Sequence, residues 1–375
     1  MPFDFDTVID RRPTDSSKWE PARDRDVIPL PVADMDFRSP DEVIQAIHAR
    51  VDHGVFGYPD PQVSLTEAVI EMLAREHDWD VDPDWLVWLN GLVVGLNLFA
   101  RTLPEGAGIA TVTPIYPPFL LAQGNTGRKL LKIPLLTAED HYAMDFEAIE
   151  AAFASPECNA FFLSNPHNPS GRVYSRDALT RLAELAEKHD VLICSDEIHC
   201  DLILDADRKH IPFATLSADA ASRSITLMSP SKTYNLAGLK CAFAIIPDEK
   251  LRARYRRAAR GIVTELNILG MVACEAAYRS GKPWHDALRI YLRGNRDMVH
   301  EAVRDIPGLS CQHIEATYLA WIDCRETGIK DPYQHFIDRG LVLSDGRYFD
   351  GSGFVRLNFG CPRATLKAAL ERLAL

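Results

Sequence analysis

The chain has 375 residues, 47% hydrophobic and 25% charged, enough for one large or two medium domains with a proper core. Its formal net charge of −12, with lysines and arginines dispersed, argues against nucleic-acid partners and anionic membrane surfaces, which select a basic footprint. No stretch approaches the roughly 18 uninterrupted apolar residues of a bilayer span.

The opening MPFDFDTVIDRRPTD lacks a basic segment followed by an apolar one, so no secretory signal is read there. Eight cysteines are scattered without a C-x-x-C pair. Reduced thiols and a cytoplasmic setting are the expectation. Cys194, His199 and Cys200 lie close in sequence, but a zinc site needs four suitably spaced ligands, and no metal is expected.

In chain order, Ser39-Pro40-Asp41-Glu42 predicts a helix start, with serine at the N-cap and proline at the first position. Ser64-Leu65-Thr66-Glu67 predicts a second capping box. Seven short apolar runs come next: Trp85–Asn90, Gly108–Pro114, Lys129–Leu135, Ala160–Asn165, Val191–Asp196, Ser224–Pro230 and Cys241–Pro247. Continuous apolar runs of this length suit strands buried on both faces. Between them, Ser175–Asp190 places leucines and alanines on one helical face. This alternation predicts an α/β fold with a mainly parallel seven-stranded sheet and flanking helices. A helical run begins near Leu266–Arg279 and continues through Trp284–Val303. Strands at Thr317–Cys324 and Phe354–Phe359 and a helix from about Thr365 predict a smaller α+β domain. The expected division is 45–275 for the large domain, with 1–44 and 276–375 in the small one.

Open α/β sheets bind ligands beyond the carboxyl ends of their strands, which directs attention to the residues just after each run. Asp196 sits at such a tip, where a buried carboxylate calls for a positive partner. A protonated pyridine nitrogen would serve, and so would a purely structural cap. Ser229-Pro230-Ser231-Lys232 ends another run. A partly desolvated lysine among hydroxyl groups can lose its proton and form an imine, although a solvated loop lysine has the same local sequence. Lys240 could add positive charge for a phosphate. Asn165-Pro166-His167-Asn168-Pro169-Ser170-Gly171 forms a rigid turn that could aim Asn168 at a ring hydroxyl. Asn90-Gly91-Leu92-Val93 opens a helix whose free N–H groups suit phosphate. No G-x-G-x-x-G occurs, against a nicotinamide enzyme. Each signal is modest, and their order is far more specific. A helix-opening glycine turn, Tyr116 after a strand, N-P-x-N-P-x-G, Asp196 and Ser-x-Ser-Lys232 succeed one another, with Asp196 preceding Lys232 by 36 residues.

On these features the chain resembles the fold-type-I enzymes of pyridoxal 5′-phosphate (PLP), the aspartate aminotransferase superfamily, over nearly its whole length. Within it, the chain is similar to the MalY/PatB-like branch of cystathionine β-lyases (C–S lyases). Val32–Phe37, Asn165–Val173, Ser195–His199, Ser231–Leu239 and Arg356–Arg363 carry the likeness. The resemblance implies that Lys232 carries PLP as a Schiff base, Asp196 pairs with the pyridine nitrogen and Tyr116 stacks on the ring. It implies that Asn168 contacts the ring hydroxyl oxygen and borders the substrate, and that His199 faces the same oxygen. Gly91, Leu92, Val93, Ser229 and Lys240 would serve the phosphate. Tyr58 would reach the phosphate of a neighbouring subunit in a homodimer, and Arg356 would clamp the substrate α-carboxylate in a fork. The phosphate turn departs from many relatives in lacking a hydroxyl residue, and Lys240 stands where many have arginine, a point charge in place of a fork. Val32–Phe37 and the region near Tyr348 are expected to shape specificity.

The implied activity is β-elimination from L-cystathionine or another cysteine S-conjugate, giving a thiol, pyruvate and ammonia. Aminotransfer uses the same residues, and only the branch likeness favours elimination. A PLP-binding regulator with little turnover is a third reading, against which the complete Lys232, Asp196 and Arg356 set weighs.

Overall fold

In a computed structural model of the chain, residues 3–138 and 140–374 are described. The seven central runs form one sheet. Its strands are β1 (Leu86–Leu89), β2 (Gly108–Thr113), β3 (Lys129–Pro134), β4 (Cys158–Ser164), β5 (Leu192–Asp196), β6 (Ser224–Met228) and β7 (Ala242–Ile245). Their spatial order is β1-β7-β6-β5-β4-β2-β3. Only β7 runs antiparallel to its neighbours, so the sheet is mainly parallel, as expected.

The absence of polar alternation in these strands comes from their cover. Every residue of β2, β6 and β7 is buried. Side chains alternate between faces along a strand. Phe243 and Ile245 join a core with residues of helices Val63–His77 and Ile268–Ser280. Ala242 and Ala244 join the opposite core, with residues of helices Leu92–Thr102, Arg176–Lys188 and Glu249–Ala259. Helix Arg176–Lys188 shows how sequence specifies such a layer. Ser175 caps it by accepting from the Ala178 N–H, and Leu179, Leu182, Ala183, Leu185 and Ala186 form its buried face. Each fully buried leucine contributes about 1.5–3 kcal/mol.

A second, antiparallel sheet has the order Ser310–Cys311, Leu319–Asp323, Phe354–Asn358, Ser344–Asp345, packed by helix Lys282–Asp305. Ile28–Pro29 pairs in parallel with Leu341–Val342, which ties the N-terminal segment to this C-terminal unit. The expected run from Leu266 to Val303 is two helices, Ile268–Ser280 and Lys282–Asp305. Gly281 joins them where a Cβ would lie 2.6 Å from both the Ala277 carbonyl and the Tyr234 ring.

Both capping boxes need correction. The first helix begins at Asp41 after an N-cap Pro40, and the Ser39 hydroxyl donates to the Asn235 carbonyl instead. The second begins at Val63 after Gln62, which places Ser64 in its first turn, where it donates to Glu275. In both cases a tertiary partner outcompetes the local cap. Among the described residues, all eight cysteines are free, and no helix is long and apolar enough to cross a membrane.

Candidate active site

The parallel strands deliver their carboxyl ends to one edge of the large sheet. Asp196 ends β5, Lys232 comes after β6, Asn168 after β4, Tyr116 after β2 and Gly91 after β1. Lys240 lies just before β7, and Arg356 comes from the small sheet on strand Phe354–Asn358. Together with Leu92, Val93, His199 and Ser229 they line one cavity of about 540 Å³.

Charge inside this cavity is perturbed by burial. Burial, then the Arg356 cation, lowers the Lys232 amine to about 8, against the opposing charges of Asp34 and Asp196. The Lys232 Nζ donates to the Ala33 carbonyl at 2.5 Å. Burial raises the Asp196 carboxyl to about 7, although the Ile198 N–H and the Lys232 charge favour its ionised form. The Ile198 N–H donates to its Oδ1 at 3.0 Å. A carboxylate so short of positive partners is poised to gain one. His199 is pushed well below the usual histidine range by burial, then by Lys232 and Arg356. Its Nδ1 is buried without a partner, and its ring meets the edge of Tyr318 at 6.2 Å and 77°. Burial raises the Tyr116 hydroxyl.

Arg356 is held rather than free. Its Nη1 donates to Asn168 Oδ1 at 2.9 Å, and its Nη2 donates to the Pro31 carbonyl at 2.9 Å and to Ser344 Oγ at 3.2 Å. Its guanidinium carbon lies 4.7 Å from the centroid of the Phe349 ring. Burial lowers its pKa to about 10, so it stays cationic at neutral pH. At the opposite side, Gly91 caps helix Leu92–Thr102 with φ +117°, a conformation that suits glycine. The first N–H groups of that helix and Lys240 make a site of positive potential.

Eleven of the twelve residues singled out in the sequence therefore meet in one cleft. Tyr58 does not join its own chain's cleft and is 95% exposed. The Ser229 hydroxyl, expected to donate to a phosphate, donates here to the Cys241 carbonyl at 2.7 Å. Of Cys194, His199 and Cys200, only Cys200 joins a cluster of metal-ligating types, with His77 and Asp201. His77 and Asp201 are paired to each other at 3.1 Å. Sequence reasoning missed Phe349, Ser344, Tyr318 and the carbonyls of Pro31 and Ala33, while Ser231, named in the run before Lys232, does line the cleft. Val32–Phe37 and the Tyr348 region were singled out, and Val32, Ala33 and Tyr348 do line the cleft.

A mainly parallel sheet with a lysine and an acid at its carboxyl edge, and an arginine from a second sheet in the same cleft, defines a class. The family model for aminotransferase class I and II matches residues 25–373, and the chain belongs to that family. It is 38% identical over 383 residues to the cystathionine beta-lyase PatB of Bacillus subtilis (strain 168), covering 99% of both chains, and it falls in the branch of that protein. The solved structure of OvoB is similar with a TM-score of 0.96 and 47% identity, covering 99% of this chain and 98% of that one. Cystalysin from Treponema denticola, whose crystal structure contains PLP, is similar with a TM-score of 0.95 and 31% identity, covering 100% of this chain and 98% of that one.

Proposed function

We propose that this chain is a PLP-dependent carbon–sulfur β-lyase that cleaves L-cystathionine or related cysteine S-conjugates to a thiol, pyruvate and ammonia. The observation that carries it is the convergence of Lys232, Asp196, Tyr116, Asn168 and Arg356 on one buried cleft. The likeness to PatB, named a cystathionine beta-lyase, sets the reaction.

The lining suits the cofactor group by group. Lys232 offers a primary amine of lowered pKa. Asp196 offers a buried carboxylate that takes a single protein hydrogen bond among the described residues. Tyr116 offers an aromatic face, and the unpartnered His199 Nδ1 and Asn168 offer polar atoms. Gly91, Leu92, Val93, Ser229 and Lys240 border the region suited to phosphate. When bound, the cofactor supplies an electron sink for charge that develops at the substrate Cα.

The protein's own residues then do the rest. Arg356 binds the α-carboxylate with its two terminal nitrogens, Nη2 exchanging its Ser344 contact for the substrate, so the substrate enters in one orientation. Asp196 keeps a proton on the ring nitrogen by supplying the counter-charge. Lys232 Nζ takes the Cα proton as general base, a task that its lowered pKa fits near neutral pH. The sulfur leaves Cβ with the bonding electrons as a thiolate. The remaining amino acid fragment hydrolyses to pyruvate and ammonia.

In the same reading, residues 45–275 form the PLP-binding domain, 1–44 and 276–375 form the small domain, and the enzyme works in the cytoplasm. The active unit is a homodimer in which Tyr58, exposed on its own chain, reaches the phosphate of the neighbouring site. Incubation with L-cystathionine and PLP, without a 2-oxo acid, tests the reaction. Stoichiometric pyruvate and thiol are expected. Amino-group transfer that requires a 2-oxo acid acceptor would replace this reading with aminotransfer.

A further inference from the structure

Two of the three basic side chains that line the cleft, Lys232 and Arg356, are bonded by one short backbone segment. The Pro31 carbonyl accepts from Arg356, and the Ala33 carbonyl accepts from Lys232. Ala33 also accepts from the Tyr318 hydroxyl at 3.0 Å. Arg356 also bonds Asn168 and Ser344, but the contacts of both side chains to this segment hold their geometry only if the segment is itself fixed.

Besides bonds from the Asp36 N–H to the Gly360 carbonyl at 2.8 Å and from the Ser344 hydroxyl to the Pro31 carbonyl at 2.6 Å, three side-chain anchors fix it. Asn358 Nδ2 donates to the carbonyls of Val32 and Asp34, each at 2.6 Å. Asn235, three residues beyond Lys232, accepts from the Met35 N–H and donates to the carbonyls of Met35 and Phe37, each at 2.9 Å. The third anchor is ionic. Asp36 is buried and takes three donors: Lys18 Nζ at 2.7 Å, Arg11 Nη1 at 2.6 Å and Trp19 Nε1 at 2.8 Å. Lys18 is 0% exposed, with Asp36 as its nearest counter-charge, the Asp34 carboxylate at 3.8 Å and the Asp34 carbonyl at 3.1 Å, and Arg11 also pairs with the Asp34 carboxylate at 2.9 Å. Residues 11–19 thus form a buckle closed on Asp36. A buried ion pair of this kind is a poor source of net stability, since desolvation offsets most of the attraction. It is a good source of fixed geometry, because removing Asp36 leaves buried Lys18 with only the more distant Asp34 carboxylate, at 3.8 Å.

We infer that Asp36, closed by Lys18, Arg11 and Trp19, is a positioning residue for the reaction: it fastens the Pro31–Phe37 segment so that two backbone carbonyls aim Arg356 and Lys232. Asp36 does not line the cleft. The inference rests on the reading above only in that Lys232 and Arg356 perform the chemistry.

Two variants of the full-length protein test it. Trp19→Phe keeps a large ring and removes one donor, and Asp36→Asn removes the charge. For Trp19→Phe, kcat/KM per cofactor-loaded site should fall at least about tenfold, the lower end of the range for one hydrogen bond to a charged group. Amide hydrogen exchange in residues 32–37 should rise, and Lys232 of the cofactor-free protein should acylate faster. Melting temperature and cofactor content should stay near wild type. Asp36→Asn should show a larger fall in kcat/KM and faster exchange and acylation, with a lowered melting temperature because buried Lys18 loses its nearest counter-charge. Should Asp36→Asn fail to fold, Trp19→Phe decides alone. Wild-type kcat/KM in a folded, loaded Trp19→Phe protein overturns the inference. So does a loss of activity that merely tracks loss of cofactor. Wild-type enzyme that releases no pyruvate defeats the lyase reading instead, and exchange and acylation still decide the role of Asp36.

Discussion

Replacing Arg356 by lysine removes geometry while keeping charge. The guanidinium presents two terminal nitrogens in different directions, one toward Asn168 and one toward Pro31 and Ser344. A carboxylate held by both prongs would keep one hydrogen bond to the ammonium of Arg356→Lys and lose the other. A hydrogen bond to a charged group contributes about 1.5–3 kcal/mol, which corresponds to about 10- to 150-fold in kcat/KM. The carboxylate is charged in both ground state and transition state, so the loss should appear mainly as a raised KM with kcat little changed. Initial rates of pyruvate release over a range of substrate concentrations, normalised to cofactor-loaded sites, measure this. A KM within about twofold of wild type would place the substrate carboxylate elsewhere and refute the assignment.

Two further outcomes are expected from the same geometry. Cofactor capture by the cofactor-free protein requires the neutral Lys232 amine. Burial and Arg356 disfavour the ammonium and bring its pKa from 10.5 to about 8, so the capture rate should climb with pH and level off above about 8. A rate still climbing past pH 10, monitored by stopped-flow absorbance, would show an ordinary solvated lysine. Tyr58→Ala and Lys232→Ala each damage a different half of a shared site. Mixing the two impaired proteins under conditions of subunit exchange should give more activity than either alone. No gain on mixing, with exchange verified by mass, would exclude a role for Tyr58 across subunits.

The sheet was legible because its strands announce themselves twice, by length and by uninterrupted apolar character. β6 and β7 are buried at every position, which is why they show no polar alternation. The cleft was legible because open sheets gather chemistry at strand ends, and Asp196, Asn168 and Lys232 all sit there. Arg356 came from the family likeness, since nothing local separates it from an inter-domain ion pair. The features that escaped have a common cause. Pro31 and Ala33 act through backbone carbonyls, which any residue carries. Phe349 and Ser344 matter only because the small sheet brings them beside Arg356. Ser39 and Ser64 have the composition of caps, but long-range partners take their hydroxyls. Ser229 bonds a carbonyl twelve residues away, a contact set by the meeting of β6 and β7.

Every catalytic role assigned here depends on a covalent link between PLP and one amine at the edge of the large sheet. Borohydride reduction of the PLP-loaded protein, with peptide mass spectrometry of the product, probes that link directly. A single phosphopyridoxyl adduct on Lys232, lost in Lys232→Ala, is the predicted result. An unlabelled residue 232, or an adduct on Lys240 in its place, would contradict it.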